Sequence, residues 1–373
     1  MRNENILQEV GGEEFIAEIT LSSFYTPNID TYAKTVKEKA LLRSLIGASN
    51  DIMELSYRQS DDVSSILEVA ESKIFDISQD KLNDGLTKVG DTLDETIQII
   101  NELSLNDGDI TGVPTGLSSI DLKLSGLQAS QLILLAARPA MGKTALGLTM
   151  AWNAAKEGKS VAFFSLEMSI LQLNYRLISM VSMIDLEQVM NGRIKDDEWE
   201  LLFRSVKDIA DKDLYVDETP AISLSEMRSK LKRLKAERGL DLVVIDYLQL
   251  MSSDSNKENR QNEIASISRG LKSLSKELNC PILSLAQLSR EADKRADHKP
   301  ILSDLRESGA IEQDADVVML LYREDYYDEE DNPNIAKVIV AKHRNGATGT
   351  IDLFFNKTCT TFRDLSYRED DAF

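Results

Sequence analysis

The spacing of hydrophobic and polar positions changes near residue 110, and this change divides the chain. Before that point, apolar residues recur every three or four positions, as in Tyr32, Val36 and Ala40 and again in Leu93 and Ile97. Such spacing is typical of amphipathic helices. After it, short apolar runs rich in β-branched residues alternate with helical stretches. The pattern predicts an all-α segment followed by an α/β domain.

Residues 1–78 are predicted to form a partial helical domain that resembles a helical hairpin. A short helix is expected at 13–24 and a longer one from Ile29. A further helix is expected to start at Asp61 or Asp62, either of which would cap it. These residues are too few to bury a large core alone, so we expect them to contact a partner.

Residues 79–109 are predicted to form a linker helix, with a helix packed on its own domain as the alternative. Residues 110–366 are predicted to form an α/β domain, followed by a tail at 367–373. Continuous apolar runs separated by helices predict a mainly parallel sheet with both faces covered. The predicted strands are 132–136, 161–165, 214–216, 242–245, 282–286, 317–321, 337–341 and 351–355. The last two, with Asn345 and Gly346 between them, are expected to form a hairpin at the sheet edge.

Composition narrows the class of protein. The 373 residues suffice for about two domains. The sequence contains no run of about 18 apolar residues, so no membrane span is predicted. The start lacks the features of a secretory signal. Cys280 and Cys359 form no CxxC pair, which indicates inert thiols in a reducing cytoplasm. The net charge of −20 argues against a surface that binds a polyanion everywhere, but allows basic loops in a local groove.

A phosphate-binding loop is indicated between the first predicted strand of the α/β domain and the next helix. The segment consists of Ala137, Arg138, Pro139, Ala140, Met141, Gly142, Lys143 and Thr144. Its backbone amides and the helix N-terminus would bind phosphate oxygens, Lys143 would reach the β- and γ-phosphates of ATP, and Thr144 would ligate Mg²⁺. Ala137 stands where the usual first glycine would be, and a chance Gly-Lys-Thr remains an alternative.

Three polar residues at the ends of later strands extend this site. Asp246 follows four apolar residues and is expected to hold Mg²⁺, with a helix N-cap as the alternative. Glu167 is positioned to polarise the attacking water, but an ordinary surface glutamate is equally compatible. Gln287 is expected to contact the γ-phosphate, and its alternative is a solvent-facing amide.

The chain resembles the replicative DNA helicases of the DnaB family. The motifs that carry the resemblance lie in order at 109–116, 136–144, 165–168, 245–251, 304–309, 311–316 and 342–346. The resemblance implies a RecA-like core, the use of ATP and Mg²⁺, and a hexameric ring that encircles single-stranded DNA and unwinds forked duplex in the 5′→3′ direction. It also implies a helicase loader and primase as partners.

The resemblance assigns roles to particular residues. Glu167 corresponds to the catalytic carboxylate and Asp246 to the carboxylate on the metal side. Lys342 and Arg344 correspond to residues that reach the γ-phosphate of the neighbouring subunit. Residues i and i+2 of a strand point to one side, and an arginine supplied in trans stabilises transition-state charge. Without the resemblance, a basic edge strand that prevents aggregation is the simpler interpretation.

The family also places DNA-binding loops along its channel. Arg306, Glu307 and Gly309 match one of them, where a glycine admits backbone amides to a phosphate. Lys257 and Arg260 lie in a polar stretch that is either a second channel loop or an ordinary exposed loop.

The amino-terminal region departs from the family pattern, because the early globular helices have no counterpart at 1–78. Either the chain was shortened or the protein lacks these helices.

A replicative helicase is therefore the main functional hypothesis. Two alternatives remain open from the sequence. One is a RecA-like ATPase that acts as a recombinase or switch without unwinding, and the other is a non-enzymatic subunit that only binds partners.

Overall fold

The computed structural model describes residues 29–58, 88–105, 110–251, 260–295, 297–328 and 332–365, with a few positions between 66 and 74. The chain divides into two compact units between Glu102 and Leu103. The domain boundaries expected from the sequence stay predictions.

Two helices are described in the amino-terminal part of the chain. Helix α1 spans Ile29–Arg58, which confirms the helix expected from Ile29. Helix α2 spans Leu93–Leu105 and follows a 3₁₀ turn at Val89–Thr92, which confirms a helix within 79–109. The helix expected at 13–24 and the first turn of the one expected after position 60 lie outside the described residues.

The second unit is built on a nine-stranded sheet in the order β3-β2-β4-β5-β1-β6-β7-β8-β9. The strands from β3 to β6 in that order run parallel, and β7, β8 and β9 are antiparallel. The prediction of a mainly parallel sheet is confirmed. The strands are β1 (Leu132–Ala137), β2 (Val161–Ser165), β3 (Leu214–Asp217), β4 (Leu242–Asp246), β5 (Ile282–Gln287), β6 (Val317–Tyr322), β7 (Ile335–His343), β8 (Gly349–Asn356) and β9 (Thr361–Asp364).

Helices connect the parallel strands and cover the sheet. They are α3 (Ser118–Leu124), α4 (Lys143–Lys156), α5 (Ile170–Ser182), α6 (Leu186–Asn191), α7 (Trp199–Ala210), α8 (Leu224–Arg238), α9 (Arg260–Glu277) and α10 (Gly309–Asp314). Short 3₁₀ turns lie at Leu248–Leu250, Ala292–Lys294, Leu302–Ser308 and Glu324–Tyr326.

Successive residues of the central strands are buried on opposite faces of the sheet, as the pleat requires. Leu135 packs in one cluster with Leu146 of α4, and its neighbour Leu134 packs in another with Leu271 of α9. Both faces of β1 are fully buried, so the strand reads as a continuous apolar run rather than an alternating one.

The expected hairpin exists, but its position at the sheet edge was predicted wrongly. Strands β7 and β8 pair with each other, and β9 lies beyond β8. In β9, Phe362 is buried against Phe355, with ring centroids 4.6 Å apart. This short strand carries one strongly apolar side chain, which is too weak a pattern to predict from spacing. Because β7 is an internal strand, the interpretation of Lys342 and Arg344 as a basic edge strand is also wrong.

Both cysteines are buried free thiols. Burial raises the pKa of Cys280 to about 12, so that thiol stays protonated, which fits the inert role expected for it. Among the described residues, no helix has the length and apolar character that crossing a membrane requires.

Candidate functional site

The loop between β1 and α4 has a left-handed backbone conformation at two positions. Gly142, the N-cap of α4, has φ +97°, and a Cβ there would lie 3.0 Å from the Phe362 ring. Ala140 at the loop tip also has a positive φ of 65°. No side chain caps α4, so the amides of its first turn remain available to an anion.

Lys143 and Thr144 converge on the carboxylate of Asp246. The Thr144 hydroxyl donates a 2.7 Å hydrogen bond to Asp246 Oδ2, and Lys143 Nζ lies 3.1 Å from Oδ1. Asp246 is fully buried at the end of β4. The other oxygen, Oδ1, accepts no hydrogen bond of normal geometry, although the lysine lies close to it. This buried carboxylate therefore retains capacity for a further ligand.

The alternative role of Asp246 as a helix cap is wrong. The 3₁₀ turn that follows β4 has Tyr247 as its N-cap, and no side chain caps it. Tyr247 instead packs its ring beneath Lys143, with Nζ 4.1 Å from the ring centroid.

Glu167 lies in the same electrostatic environment as Asp246. It follows β2, whose last residue Ser165 pairs with Asp246, and its side chain is exposed. Burial lowers the pKa of Arg176 in α5, while the charges of Asp246 and Glu167 oppose that shift. Burial likewise raises the pKa of Tyr247, and the same two carboxylates add to the effect. Arg176 and Tyr247 therefore both sense the charges of Glu167 and Asp246.

Arg176 was missed by the sequence analysis, although a signal was present. Leu173, Leu177 and Met180 form the buried stripe of α5, and Arg176 lies three residues after the first and four before the last. A charged residue inside an apolar helix stripe needs a partner of opposite charge. The nearby negative charges are those of Asp246 and Glu167, which oppose the lowering of the Arg176 pKa by burial.

Gln287 lies beside the loop because β5 pairs with β1, with Gln287 opposite Ala137. Its backbone N–H donates to Gln249 Oε1 at 3.4 Å, and its own side chain is exposed. Arg138 points elsewhere. Its guanidinium pairs with Asp293 at 2.6 Å and donates to the Leu288 carbonyl at 2.9 Å.

Pro139 and Ala140 are exposed at the loop tip, and Met141 is buried beneath it.

The structure does not bring Lys342 and Arg344 to this site. Lys342 pairs with Val318 near the start of β6, whereas Ala137 at the loop pairs with Leu321. Val318 and Leu321 are three residues apart on β6, which corresponds to about 10 Å along the strand. The two cations therefore lie at the opposite end of the sheet from the phosphate-binding loop.

Their local contacts are also separate from the phosphate loop. Lys342 Nζ donates to the carbonyls of Glu312 at 2.6 Å and Gln313 at 3.1 Å, and Arg344 pairs with Asp316.

Comparison with known proteins identifies the family. Residues 112–364 match the model of the DnaB-like helicase C-terminal domain. The chain belongs to the DnaB-like helicases. It is 43% identical over 375 residues to the replicative DNA helicase DnaC of Bacillus subtilis, covering 100% of this chain and 83% of that protein. It is 42% identical to the replicative DNA helicase DnaB of Geobacillus stearothermophilus, covering 98% of this chain and 81% of the relative.

Solved structures share the fold of this chain. A structure described as a DnaB-like replicative helicase and its interactions with primase matches with a TM-score of 0.81 and 33% identity, covering 98% of this chain and 86% of that one. A structure described as an ATPase domain matches with a TM-score of 0.72 and 37% identity, covering 74% of this chain and 100% of that one. The predicted RecA-like core is confirmed.

The predictions of a replicative DNA helicase and of an ATP-dependent enzyme are likewise confirmed. The alternatives of a switch without unwinding and of a non-enzymatic subunit find no support among these DnaB-like relatives.

The segment matching a DNA-binding loop of DnaB-like helicases is described through its backbone. A 3₁₀ turn at Leu302–Ser308 leads directly into α10 at Gly309. Asp304 anchors the turn, because it is buried, pairs with Arg295 and accepts the Ile301 N–H at 2.8 Å. The side chains of Arg306 and Glu307 are not described, and neither are Lys257 and the side chain of Arg260. Their roles stay predictions.

Proposed function

We propose that this DnaB-like helicase binds ATP with Mg²⁺ at the loop of α4, and uses its hydrolysis to move 5′→3′ along single-stranded DNA. A homohexameric ring in the cytoplasm would open forked duplex in this way. One observation supports the ring above others. The phosphate loop and the two cations that the family assigns to the γ-phosphate lie at opposite ends of one sheet. A complete site therefore requires two subunits.

The residues present fit a magnesium triphosphate. Mg²⁺ prefers oxygen ligands, and the Thr144 hydroxyl and the Asp246 carboxylate lie within 2.7 Å of each other. Asp246 Oδ1 has no hydrogen bond, as expected for an oxygen that takes a further ligand. Thr144 would hold the ion directly, and Asp246 through water. The bound ion would supply charge neutralisation between the β- and γ-phosphates.

The remaining residues orient and activate the reactants. The first-turn amides of α4 and Lys143 hold the phosphates, while Glu167 accepts the proton of the attacking water. Gln287 contacts the γ-phosphate from the end of β5. Arg344 and Lys342 of an adjoining subunit stabilise the negative charge that develops on the transferred group. Hydrolysis then depends on assembly.

Single-stranded DNA would contact the segment with Arg306, Glu307 and Gly309, through its backbone phosphates and without base readout. The overall charge of −20 confines such contacts to a local channel. One solved relative is described with primase, and we include primase and a helicase loader among the partners of this chain.

The test measures ATP hydrolysis and strand separation on the same preparation. We expect turnover stimulated by single-stranded DNA, and unwinding of a fork with a 5′ tail but not of a duplex with only a 3′ tail. Lys143→Ala should abolish both activities. Arg233→Ala serves as a control, because that exposed arginine pairs with Glu237 on the surface of α8. Turnover without strand separation on any fork would indicate a switch and refute the helicase.

A further inference from the structure

Asp316 immediately precedes β6, at the end of the sheet where Lys342 and Arg344 lie. It is only 5% exposed. Its Oδ2 accepts the Leu132 N–H at 2.8 Å and Lys272 Nζ at 2.6 Å, and its Oδ1 accepts Arg344 Nη1 at 3.1 Å. The backbones are joined too, because the Arg344 N–H donates to the Asp316 carbonyl at 2.9 Å.

We propose that Asp316 is the positioning residue for Arg344, and that it presets the guanidinium for the nucleotide held by an adjoining subunit. The proposal rests on the proposed function, since it takes Arg344 as the residue supplied in trans. It adds a second residue of the same subunit, which orients the guanidinium that Arg344 supplies.

The two carboxylate oxygens of Asp316 have different partners. Leu132 and Lys272 fix Oδ2 from the sheet and from α9, so the carboxylate is held whether or not Arg344 is bound. Oδ1 is thereby aimed at Arg344. An arginine side chain is long and loses much rotamer freedom when a single geometry is imposed. A carboxylate that is already rigid imposes that geometry before the subunits meet.

Arg344 keeps enough free donors to bind a second anion. Its side chain is 51% exposed, whereas that of Asp316 is 7% exposed. Nη1 bonds to Asp316, and Nη2 approaches the Gln313 carbonyl at 3.4 Å. A guanidinium carries five N–H donors, so the exposed edge remains available to a phosphate oxygen. Asp316 therefore orients Arg344 and leaves the exposed edge of its guanidinium available to a further anion.

Lys342 is held by backbone carbonyls rather than by a carboxylate. Its ammonium donates to the carbonyls of Glu312 and Gln313 at the end of α10. Burial lowers the pKa of Lys342, and the nearby charge of Arg344 lowers it further. The charges of Glu312, Asp316 and Asp314 oppose this lowering, and of these three carboxylates Asp316 is the one that pairs with Arg344.

The test compares Asp316→Asn with Lys272→Met in assembled rings. The first removes the charge that orients Arg344, and the second removes the other cation from the same carboxylate. We expect Asp316→Asn to lower kcat for DNA-stimulated ATP hydrolysis by at least about tenfold, with KM for ATP changed by less than about twofold. Lys272→Met should lower kcat less than Asp316→Asn does, because the Leu132 N–H still holds Oδ2 and the charge beside Arg344 remains. A purely structural role would affect both variants alike.

A double-mutant cycle completes the design. Adding Asp316→Asn to Arg344→Ala should cause no further loss of kcat, because the positioned group is already absent. If the two losses multiply, or if Asp316→Asn matches Lys272→Met, the inference is overturned. If Arg344→Ala itself leaves kcat unchanged, the proposed function fails instead.

Asp316→Glu covers the case in which the asparagine variant does not fold. It retains the charge but shifts the carboxylate by one methylene. We expect the same loss of kcat from assembled rings, whereas full activity would contradict the positioning role.

Discussion

The hydroxyl of Thr144 donates a 2.7 Å hydrogen bond to Asp246, which joins the first turn of α4 to the end of β4. Both groups are oxygen ligands of the kind that Mg²⁺ takes. The hydrogen bond holds them together before any ion binds. The pair is therefore a preformed half of the proposed magnesium site.

Replacing Thr144 by valine should remove this half-site while keeping the shape of the side chain. We expect Thr144→Val to lower ATP hydrolysis at least about tenfold and to raise the Mg²⁺ concentration needed for half-maximal rate. Thr144→Ser keeps the hydroxyl and should retain most activity. The measurement is a Mg²⁺ titration of the ATPase rate. An unchanged Mg²⁺ dependence in the valine variant would exclude a ligand role for Thr144.

Gly142 should be sensitive for a local reason. Its φ of +97° strains any residue with a side chain, and an added Cβ would lie only 3.0 Å from the Phe362 ring. We expect Gly142→Ala to lose nucleotide binding, because the loop must shift at a cost of about 1–3 kcal/mol. Gly158→Ala is the control, since Gly158 has φ +79° but nothing within 4 Å of the added atom. It should share the backbone strain yet bind nucleotide, as measured by isothermal titration.

Arg176 should matter because its charge interacts with those of Asp246 and Glu167. Without its charge, Glu167, Asp246 and a bound triphosphate repel one another in a partly buried site. We expect Arg176→Met to lower kcat at least about tenfold, with Arg176→Lys partly restoring it. Arg204→Met removes an exposed arginine that pairs with Glu200, and should be neutral. Normal steady-state kinetics in Arg176→Met would contradict this role.

The sequence predicted the parallel sheet and the positions of several strand-end residues, for a physical reason. Buried parallel strands are continuous apolar runs, and polar residues at their carboxyl ends meet at one edge. Asp246 and Gln287 lie at the ends of β4 and β5, as that pattern predicted, and their roles at the nucleotide stay predictions. Two features escaped because they depend on tertiary pairing. Strand β9, and not the β7–β8 hairpin, lies at the sheet edge, and Asp316 is the buried partner of Arg344. The spacing of apolar residues along the sequence reveals neither.

Asp293 should give a measurable pH dependence of stability. The hydrogen bond from Arg138 holds the pKa of Asp293 below its usual value. A lowered folded-state pKa stabilises the protein above the unfolded value of about 3.9, and that contribution is lost as the pH falls through the folded value. The stability difference between the parent and Asp293→Asn should therefore be present at neutral pH and should shrink as the pH falls below the unfolded value. The carboxylate is 38% exposed, so we expect about 1 kcal/mol or less in urea unfolding. A constant difference across this range would contradict the assignment.

Complementation between two inactive variants tests the trans arrangement directly. Lys143→Ala destroys the phosphate loop of its own subunit but keeps Arg344, and Arg344→Ala does the reverse. In mixed rings, a subunit with an intact loop can face a neighbour with an intact arginine. Random mixing in equal amounts makes about a quarter of the interfaces complete. We therefore expect ATP hydrolysis to recover to that order when the two proteins are assembled together.

The control for this experiment mixes Lys143→Ala with the double variant Lys143→Ala and Arg344→Ala. No interface in that mixture has an intact loop, so no recovery is expected. Differently tagged subunits that purify together establish that mixed rings have formed. If such rings hydrolyse no ATP in the first mixture, Arg344 must act within its own subunit. That result would conflict with its position at the opposite end of the sheet from the loop, because Arg344 would then have to cross the length of the strands.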